Sequence, residues 1–124
     1  MFNYQKYTTI FNKSFFKDRL VRFFLLASFL INASIWAILG WGVRYYPESM
    51  PLHYNIYFGP DLFGPWYQIL FIPGLGLCLL LLDFLFALYF FKKNGLLSYL
   101  LIGFALWAQI FLLTASGLII YLNY

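Results

Sequence analysis

The chain has 124 residues, of which 64% are hydrophobic, 25% aromatic and only 10% charged. Soluble domains carry about half apolar and about a quarter charged residues, so this composition excludes an ordinary soluble domain and predicts a single membrane domain spanning residues 1–124. The formal net charge of +4 comes from basic residues beside apolar runs, which indicates anionic lipid and not nucleic acid as the partner.

Residues 1–20 mix aromatic with basic side chains and predict a short amphipathic helix on the cytoplasmic surface. Phe15 and Phe16 are expected to face the lipid, whereas Lys17 and Arg19 face its headgroups. A frayed tail is the alternative interpretation of this segment.

Three apolar runs follow, at residues 21–43, 66–91 and 96–122. Each is long enough to cross a hydrocarbon core of about 30 Å as a helix, and a backbone inside lipid must satisfy its own hydrogen bonds. The sequence therefore predicts an all-α membrane protein with three transmembrane helices. Pro73 should kink the second helix, and Gly95 should end it with a positive φ.

Basic residues set the expected orientation. They cluster before the first run and recur as Lys92 and Lys93 between the second and third runs. By the positive-inside rule, the N-terminus and this short turn lie inside, and the 44–65 loop lies outside with the C-terminus. The loop between helices one and two is thus extracytoplasmic.

Asp83 is the one ionisable residue well inside an apolar run, and Asn32 and Gln109 lie at similar counted depths. We expect these three side chains to form an intramembrane polar cluster, with Asp83 protonated or hydrogen-bonded. Such a cluster is interpreted as a hydrogen-bonded clasp between helices, and a proton or ion pathway is the alternative.

The outer loop, residues 44–65, contains four prolines and two Gly-Pro pairs, which favour an ordered cap over the helix ends. Its larger apolar side chains are expected to be buried: Leu52, Ile56, Phe58, Leu62 and Phe63. His53 and Asn55 should then point into the cap and bond to its backbone. The alternative is an acid–base pair of His53 and Asp61, with Ser49 or Tyr54 as a third member.

The stretch from Tyr46 to Leu77 resembles a family of small bacterial membrane domains of unknown function, which also form the N-terminal part of immunity proteins against the sporulation-delaying-protein toxin. The family pairs a first helix with a Pro-x-x-[Ile/Leu]-Pro-[Ile/Leu]-His-[Phe/Tyr]-Asn-x-x-Gly loop and a second helix. The matching residues are Pro51, Leu52, His53, Tyr54, Asn55 and Gly59, with one residue more between Asn55 and Gly59 than in the pattern. The resemblance implies a bacterial cytoplasmic membrane location and supplies no activity.

These observations favour a non-enzymatic interaction or structural protein of the bacterial envelope, with no catalytic residue, cofactor or metal. Its outer-loop motif is Pro51, His53, Asn55, Gly59 and Asp61. Beyond the lipid bilayer, the expected partners are a second membrane protein or further copies of the chain. The alternative is a transport-related or proton-responsive protein centred on Asp83.

Overall fold

The computed structural model describes residues 15–45 and 49–122, without the side chains of Tyr45, Met50 and Tyr54. Its elements, in chain order, are α1 (Arg19–Gly42), a 3₁₀ turn (Val43–Tyr45), β1 (Met50–Asn55), β2 (Gly59–Gly64), a 3₁₀ segment (Trp66–Leu70), α2 (Phe71–Phe90) and α3 (Gly95–Leu122). Three helical spans in this part of the chain are long and apolar enough to cross a membrane. The predicted three-span, helical membrane protein is confirmed.

Asp18 starts α1. Its Oδ1 accepts hydrogen bonds from the backbone N–H groups of Leu20 (2.9 Å) and Val21 (3.2 Å). Two of the N–H groups that lack partners in the first turn are thereby satisfied, as in other aspartate N-caps. One face of α1 packs against the other two helices. The buried residues on this face are Val21, Ser28, Asn32, Ile35, Leu39 and Gly42.

The tight connection between α2 and α3 is closed by Asn94. Its backbone N–H donates to the Phe90 carbonyl at 2.8 Å, and its side-chain oxygen accepts from the Leu97 N–H at 3.2 Å. The prediction that Gly95 ends the second helix with a positive φ is wrong, because Gly59 is the only glycine with positive φ in the described chain. Gly95 instead begins α3 behind an asparagine cap.

The second span starts as a 3₁₀ helix and continues as an α-helix. Trp66–Leu70 is 3₁₀, and the α-helix begins at Phe71. Pro73 therefore falls in the first turn of the α-helix, where its missing N–H is tolerated. The Pro73 carbonyl accepts a hydrogen bond from a side chain of α1, as described below.

In the bundle, α3 packs against both α1 and α2, which contact each other less. One apolar cluster lies toward the Lys92–Lys93 turn, called here the lysine end, and a second lies toward the strands, the hairpin end. The lysine-end cluster contains the buried residues Phe15, Val21, Ala87 and Ile102, and the hairpin-end cluster contains Ile35, Leu39 and Ile69.

Phe15 differs from the prediction of a lipid-facing side chain. It is fully buried, and its ring makes edge-to-face contacts with Phe84 and Phe91 at centroid distances of 5.8 and 5.3 Å. Phe16, 47% exposed, points outward as expected. Residues 15–17 are helical, and the rest of the predicted amphipathic helix lies outside the described residues.

The loop between α1 and α2, predicted to be an ordered cap over the helix ends, contains an antiparallel β-hairpin. β1 and β2 pair from Met50 opposite Gly64 to Asn55 opposite Gly59, with irregular register around His53. Residues 56–58 form the turn, and Gly59 follows with φ +75°, the left-handed conformation that commonly closes a three-residue hairpin loop.

Candidate functional site

Two amide side chains join α1 to α2 and α3 inside the bundle. The Asn32 Nδ2 donates to the Gln109 Oε1 at 3.0 Å and to the Pro73 carbonyl at 3.1 Å. The Gln109 Nε2 donates to the Gly76 carbonyl at 2.7 Å, and the Trp36 Nε1 donates to the Asn32 Oδ1 at 3.1 Å. We call these five residues the amide clasp.

Burial makes the clasp important to the fold. Asn32 and Gln109 are almost completely enclosed, and both the oxygen and the nitrogen of each amide have a partner. Interhelical hydrogen bonds in membranes contribute on the order of 0.6–2 kcal/mol each. An amide left unpaired there would cost more, since hydrocarbon offers no replacement partner.

At Gly76 of α2, side chains of both other helices pack directly against the backbone. A Cβ placed there would lie 2.7 Å from the Leu112 Cδ1 and 3.0 Å from both the Asn32 Nδ2 and the Gln109 Oε1. Only a glycine leaves this space, and its absent side chain also exposes its carbonyl to Gln109. Small residues at such contacts let helix backbones approach each other.

Asp83 is not hydrogen-bonded to either amide. Seven residues separate it from Gly76 on the same face of α2, which corresponds to about 10 Å along the helix. The pairing of the Ser98 hydroxyl with the Ala87 carbonyl (2.7 Å) fixes the register of α2 against α3, and it places Asp83 level with Ile102. The two amides of the predicted cluster meet, and Asp83 lies closer to the lysine end.

The Asp83 side chain is nonetheless half-buried. Its Oδ2 is enclosed and has no hydrogen-bond partner among the described residues. A carboxylate without a partner inside a membrane is costly, on the order of 2.5–3.5 kcal/mol at a helix centre. The clasp is complete without this carboxyl, so Asp83 has no role in holding the amides together.

Residues of the outer-loop motif come together on the hairpin, but not inside a cap. The His53 Nδ1 lies 2.7 Å from the Asp61 Oδ1, and both side chains are exposed. The expectation that His53 points into a cap is wrong, because its side chain is exposed and contacts a carboxylate. Asn55 does bond to backbone, since its Oδ1 accepts from the Tyr57 N–H at 2.8 Å, and Pro51 is buried at the base.

The apolar side chains of the hairpin divide into a packed base and an exposed tip. Leu52 packs against the hairpin-end cluster, as expected. Ile56, Tyr57 and Phe58 at the turn are 92%, 83% and 85% exposed. The predicted burial of Ile56, Phe58, Leu62 and Phe63 is wrong, because a hairpin carries its turn away from the helices instead of folding it over them.

The pair of His53 and Asp61 lies on the exposed surface of the hairpin. Ser49 is exposed, and the side chain of Tyr54 lies outside the described part of the structure, so neither is placed as a third member beside His53 and Asp61. Among the described residues, no group of three His, Cys, Asp or Glu side chains is placed to hold a metal ion. The exposed pair can hold the two strands in register.

Sequence reasoning missed three members of the clasp: Trp36, Pro73 and Gly76 as hydrogen-bonding partners. Trp36 follows Asn32 by one helical turn, a spacing that places two side chains on one face and carries a usable signal. The carbonyls of Pro73 and Gly76 carry no such signal, because which carbonyl an amide meets depends on the register between helices.

The chain matches no protein-family model, and comparison with curated proteins and with solved structures finds no match either. The fold and the site therefore rest on the geometry described above.

Proposed function

We propose that this chain is a non-enzymatic, multi-pass protein of the bacterial cytoplasmic membrane whose hairpin contacts another protein of the envelope. The observation that carries the proposal is the tip: three consecutive large apolar side chains, Ile56, Tyr57 and Phe58, almost fully exposed. Exposed apolar groups that the chain does not bury itself are typical of binding surfaces.

The turn is built to hold these side chains in place. The Asn55 side chain bonds to the Tyr57 N–H, and the positive φ of Gly59 closes the loop. A fixed turn loses little conformational entropy on binding, which favours affinity. The aromatic side chains of Tyr57 and Phe58 are of the type that anchors protein interfaces.

The base of the hairpin is fixed on the bundle. Leu52 packs on the hairpin-end cluster, and Gly64 lies so close to Leu52 and Gln68 that a Cβ would meet their side chains at 2.6 and 2.4 Å. A two-stranded hairpin is marginal in water by itself, so this anchorage is what stabilises it. Packing at the base therefore fixes the position of the tip relative to the helices.

Two independent observations support the proposed location and orientation in the membrane. The basic residues favour an inside lysine end and an outside hairpin, and the Pro51–Gly59 motif resembles a bacterial membrane family. In a Cys78→Ala background, a cysteine at Ser49 should react with an impermeant maleimide added to intact cells, and one at Asn94 should not. The reverse pattern would place the hairpin inside and remove an envelope partner outside the membrane.

The hairpin itself is tested by photo-crosslinking in cells. A photoreactive phenylalanine at Tyr57 should give a discrete protein adduct, and the same probe at Tyr121, 77% exposed on α3, is the control for random collision. The adduct should disappear when Ile56 and Phe58 are both changed to serine and persist in Asp61→Asn. Adducts to phospholipid alone, or equal adducts from both probes, would contradict the proposal.

A second candidate function rests on Asp83. Its enclosed oxygen has no hydrogen-bond partner within residues 15–45 and 49–122, and the carboxyl takes no part in the clasp, which together favour a proton-responsive carboxyl. Proteoliposomes containing a pH-sensitive dye would show proton flux that is lost in Asp83→Asn. Flux equal to that of empty liposomes, with an unchanged fold in the variant, would exclude this candidate without affecting the hairpin proposal.

A further inference from the structure

Asp83 is enclosed from both ends of the bundle. Toward the hairpin end, the next buried residues on its face of α2 are Leu80 and then Gly76, where the amide clasp fills the space between the helices. Toward the lysine end, the next residue on that face is Ala87, which is fully buried. What covers Ala87 therefore decides whether water reaches the carboxyl from that end.

Phe15 is one of the residues packed there, and it belongs to residues 15–18, which precede α1 and are called here the strap. Phe15 belongs to the same buried cluster as Ala87, Val21 and Ile102, and it contacts Phe84, the residue next to Asp83. Its ring lies edge-on to Phe91, at the end of the span. The strap thus occupies the position through which water from the lysine end would approach Asp83.

A polar latch holds the strap on the bundle. The Tyr99 hydroxyl on α3 donates a short hydrogen bond to the Asp18 Oδ2, while the Oδ1 of the same carboxylate caps α1. The Tyr99 hydrogen bond, the two amide N–H groups and the positive charge of Arg22 hold the pKa of Asp18 below its usual range, against the opposing effect of burial. Asp18 therefore stays ionised at neutral pH and keeps both contacts.

We infer that the strap is a removable seal, with Phe15 as the plug and the Asp18–Tyr99 hydrogen bond as the latch, which shuts Asp83 off from water at the lysine end. The strap packs on the lysine-end cluster, but the amide clasp joins the three helices without any strap residue. Displacing the strap would hydrate Asp83 without taking the bundle apart. The inference concerns access to Asp83 and holds whether or not the carboxyl transfers protons.

The test measures access directly. In a Cys78→Ala background, Asp83→Cys is labelled with a charged, water-soluble thiol reagent in purified protein in lipid nanodiscs, where both faces meet water. With the strap intact, labelling should be much slower than at an exposed Lys92→Cys control. Phe15→Ala should raise the rate by about tenfold or more, because labelling through a local opening follows the population of the open form.

Matched variants separate the seal from general loosening. Tyr99→Phe removes only the latch hydroxyl and should raise the rate by a smaller factor, whereas Leu100→Ala, at a side chain of α3 that is 61% exposed, should leave it unchanged. Labelling of a Ser49→Cys variant reports on the hairpin end and should not change in any strap variant. If Phe15→Ala fails to fold, Tyr99→Phe decides the question alone.

Two results would overturn the inference. One is fast labelling of Asp83→Cys with an intact strap, which would show that water already reaches this position. The other is an unchanged rate in Tyr99→Phe and in folded Phe15→Ala. A proton-flux experiment that fails while access responds to the strap would remove the proton-responsive candidate and leave the seal standing.

Discussion

The amide clasp and the hairpin tip place side chains in opposite environments. In the clasp, polar groups are buried and paired with one another: Asn32 is 3% exposed, and Gln109 is not exposed at all. At the tip, apolar groups stand in the open, with Ile56 92% exposed. The hydrogen-bonding capacity of the clasp is used within the chain, so it serves the fold. The apolar surface of the tip is left exposed by the part of the chain that the structure describes, which is the reason for proposing that it binds a partner.

A larger side chain at Gly76 should cause the largest loss of stability, because the other two helices pack directly against this residue. Gly76→Val would push into Leu112, Asn32 and Gln109, and overpacking of this kind typically costs about 1–3 kcal/mol. Reversible unfolding by SDS in mixed micelles measures the loss. Gly74→Val is the matched control, because a Cβ there has no atom within 4 Å. Equal loss of stability in the two variants would show that the helices do not meet at Gly76.

Removal of one amide should have the next largest effect. Gln109→Leu keeps the volume but takes away the acceptor of Asn32 and the donor to the Gly76 carbonyl, so about 1–2 kcal/mol should be lost in the same assay. Thr114→Val serves as control, since that exposed hydroxyl bonds only to a carbonyl one turn back in its own helix. A variant as stable as the native protein would mean that the clasp contributes nothing.

A smaller loss of local stability is expected at the lysine end when the pH is lowered. The lowered pKa of Asp18 means that its contribution is present at neutral pH and is lost as the pH falls through that pKa, below the ordinary aspartate range. Amide exchange at Leu20 and Val21, corrected for its intrinsic pH dependence, should speed up there. In Asp18→Asn the profile should be flat, because the amide still caps but does not titrate. Loss of protection already near neutral pH would contradict the direction of the shift.

The smallest effect belongs to the exposed pair on the hairpin. His53→Ala removes its contact with Asp61, and cross-strand pairs are worth on the order of 0.2–1 kcal/mol. Exchange should rise slightly within β1 and β2, and unfolding of the bundle should not change. Destabilisation as large as that of Gln109→Leu would show that the hairpin and the clasp are not separate in energy.

The helices could be predicted because length and hydropathy act locally. The runs predicted at 66–91 and 96–122 match the structure within a residue or so, with the first five residues of the former in 3₁₀ form. The strands could not be predicted in the same way. Pro51 and Pro60 argue against a strand, but a two-stranded hairpin has two open edges on which a missing N–H is tolerated.

The candidate site shows the same division. Asn32 and Gln109 were predictable, because polar residues inside apolar runs have to find each other. The position of Asp83 was not predictable, because counting residues from the nearest charged residue does not give the register between helices. In the structure Asn32 meets Pro73 and Gln109 meets Gly76, and both of these α2 residues lie nearer the hairpin end than Asp83.

The bond between Trp36 and Asn32 has a consequence for biosynthesis. Gln109 follows Asn32 by 77 residues, so α1 is made and can enter the bilayer well before its partner in α3 is translated. The bond from the indole N–H of Trp36 to the Asn32 oxygen lies within α1, so it can form before any other helix is present. Only the amide nitrogen has to wait for the later helices, which lowers the free-energy cost of inserting the first span with an asparagine in it.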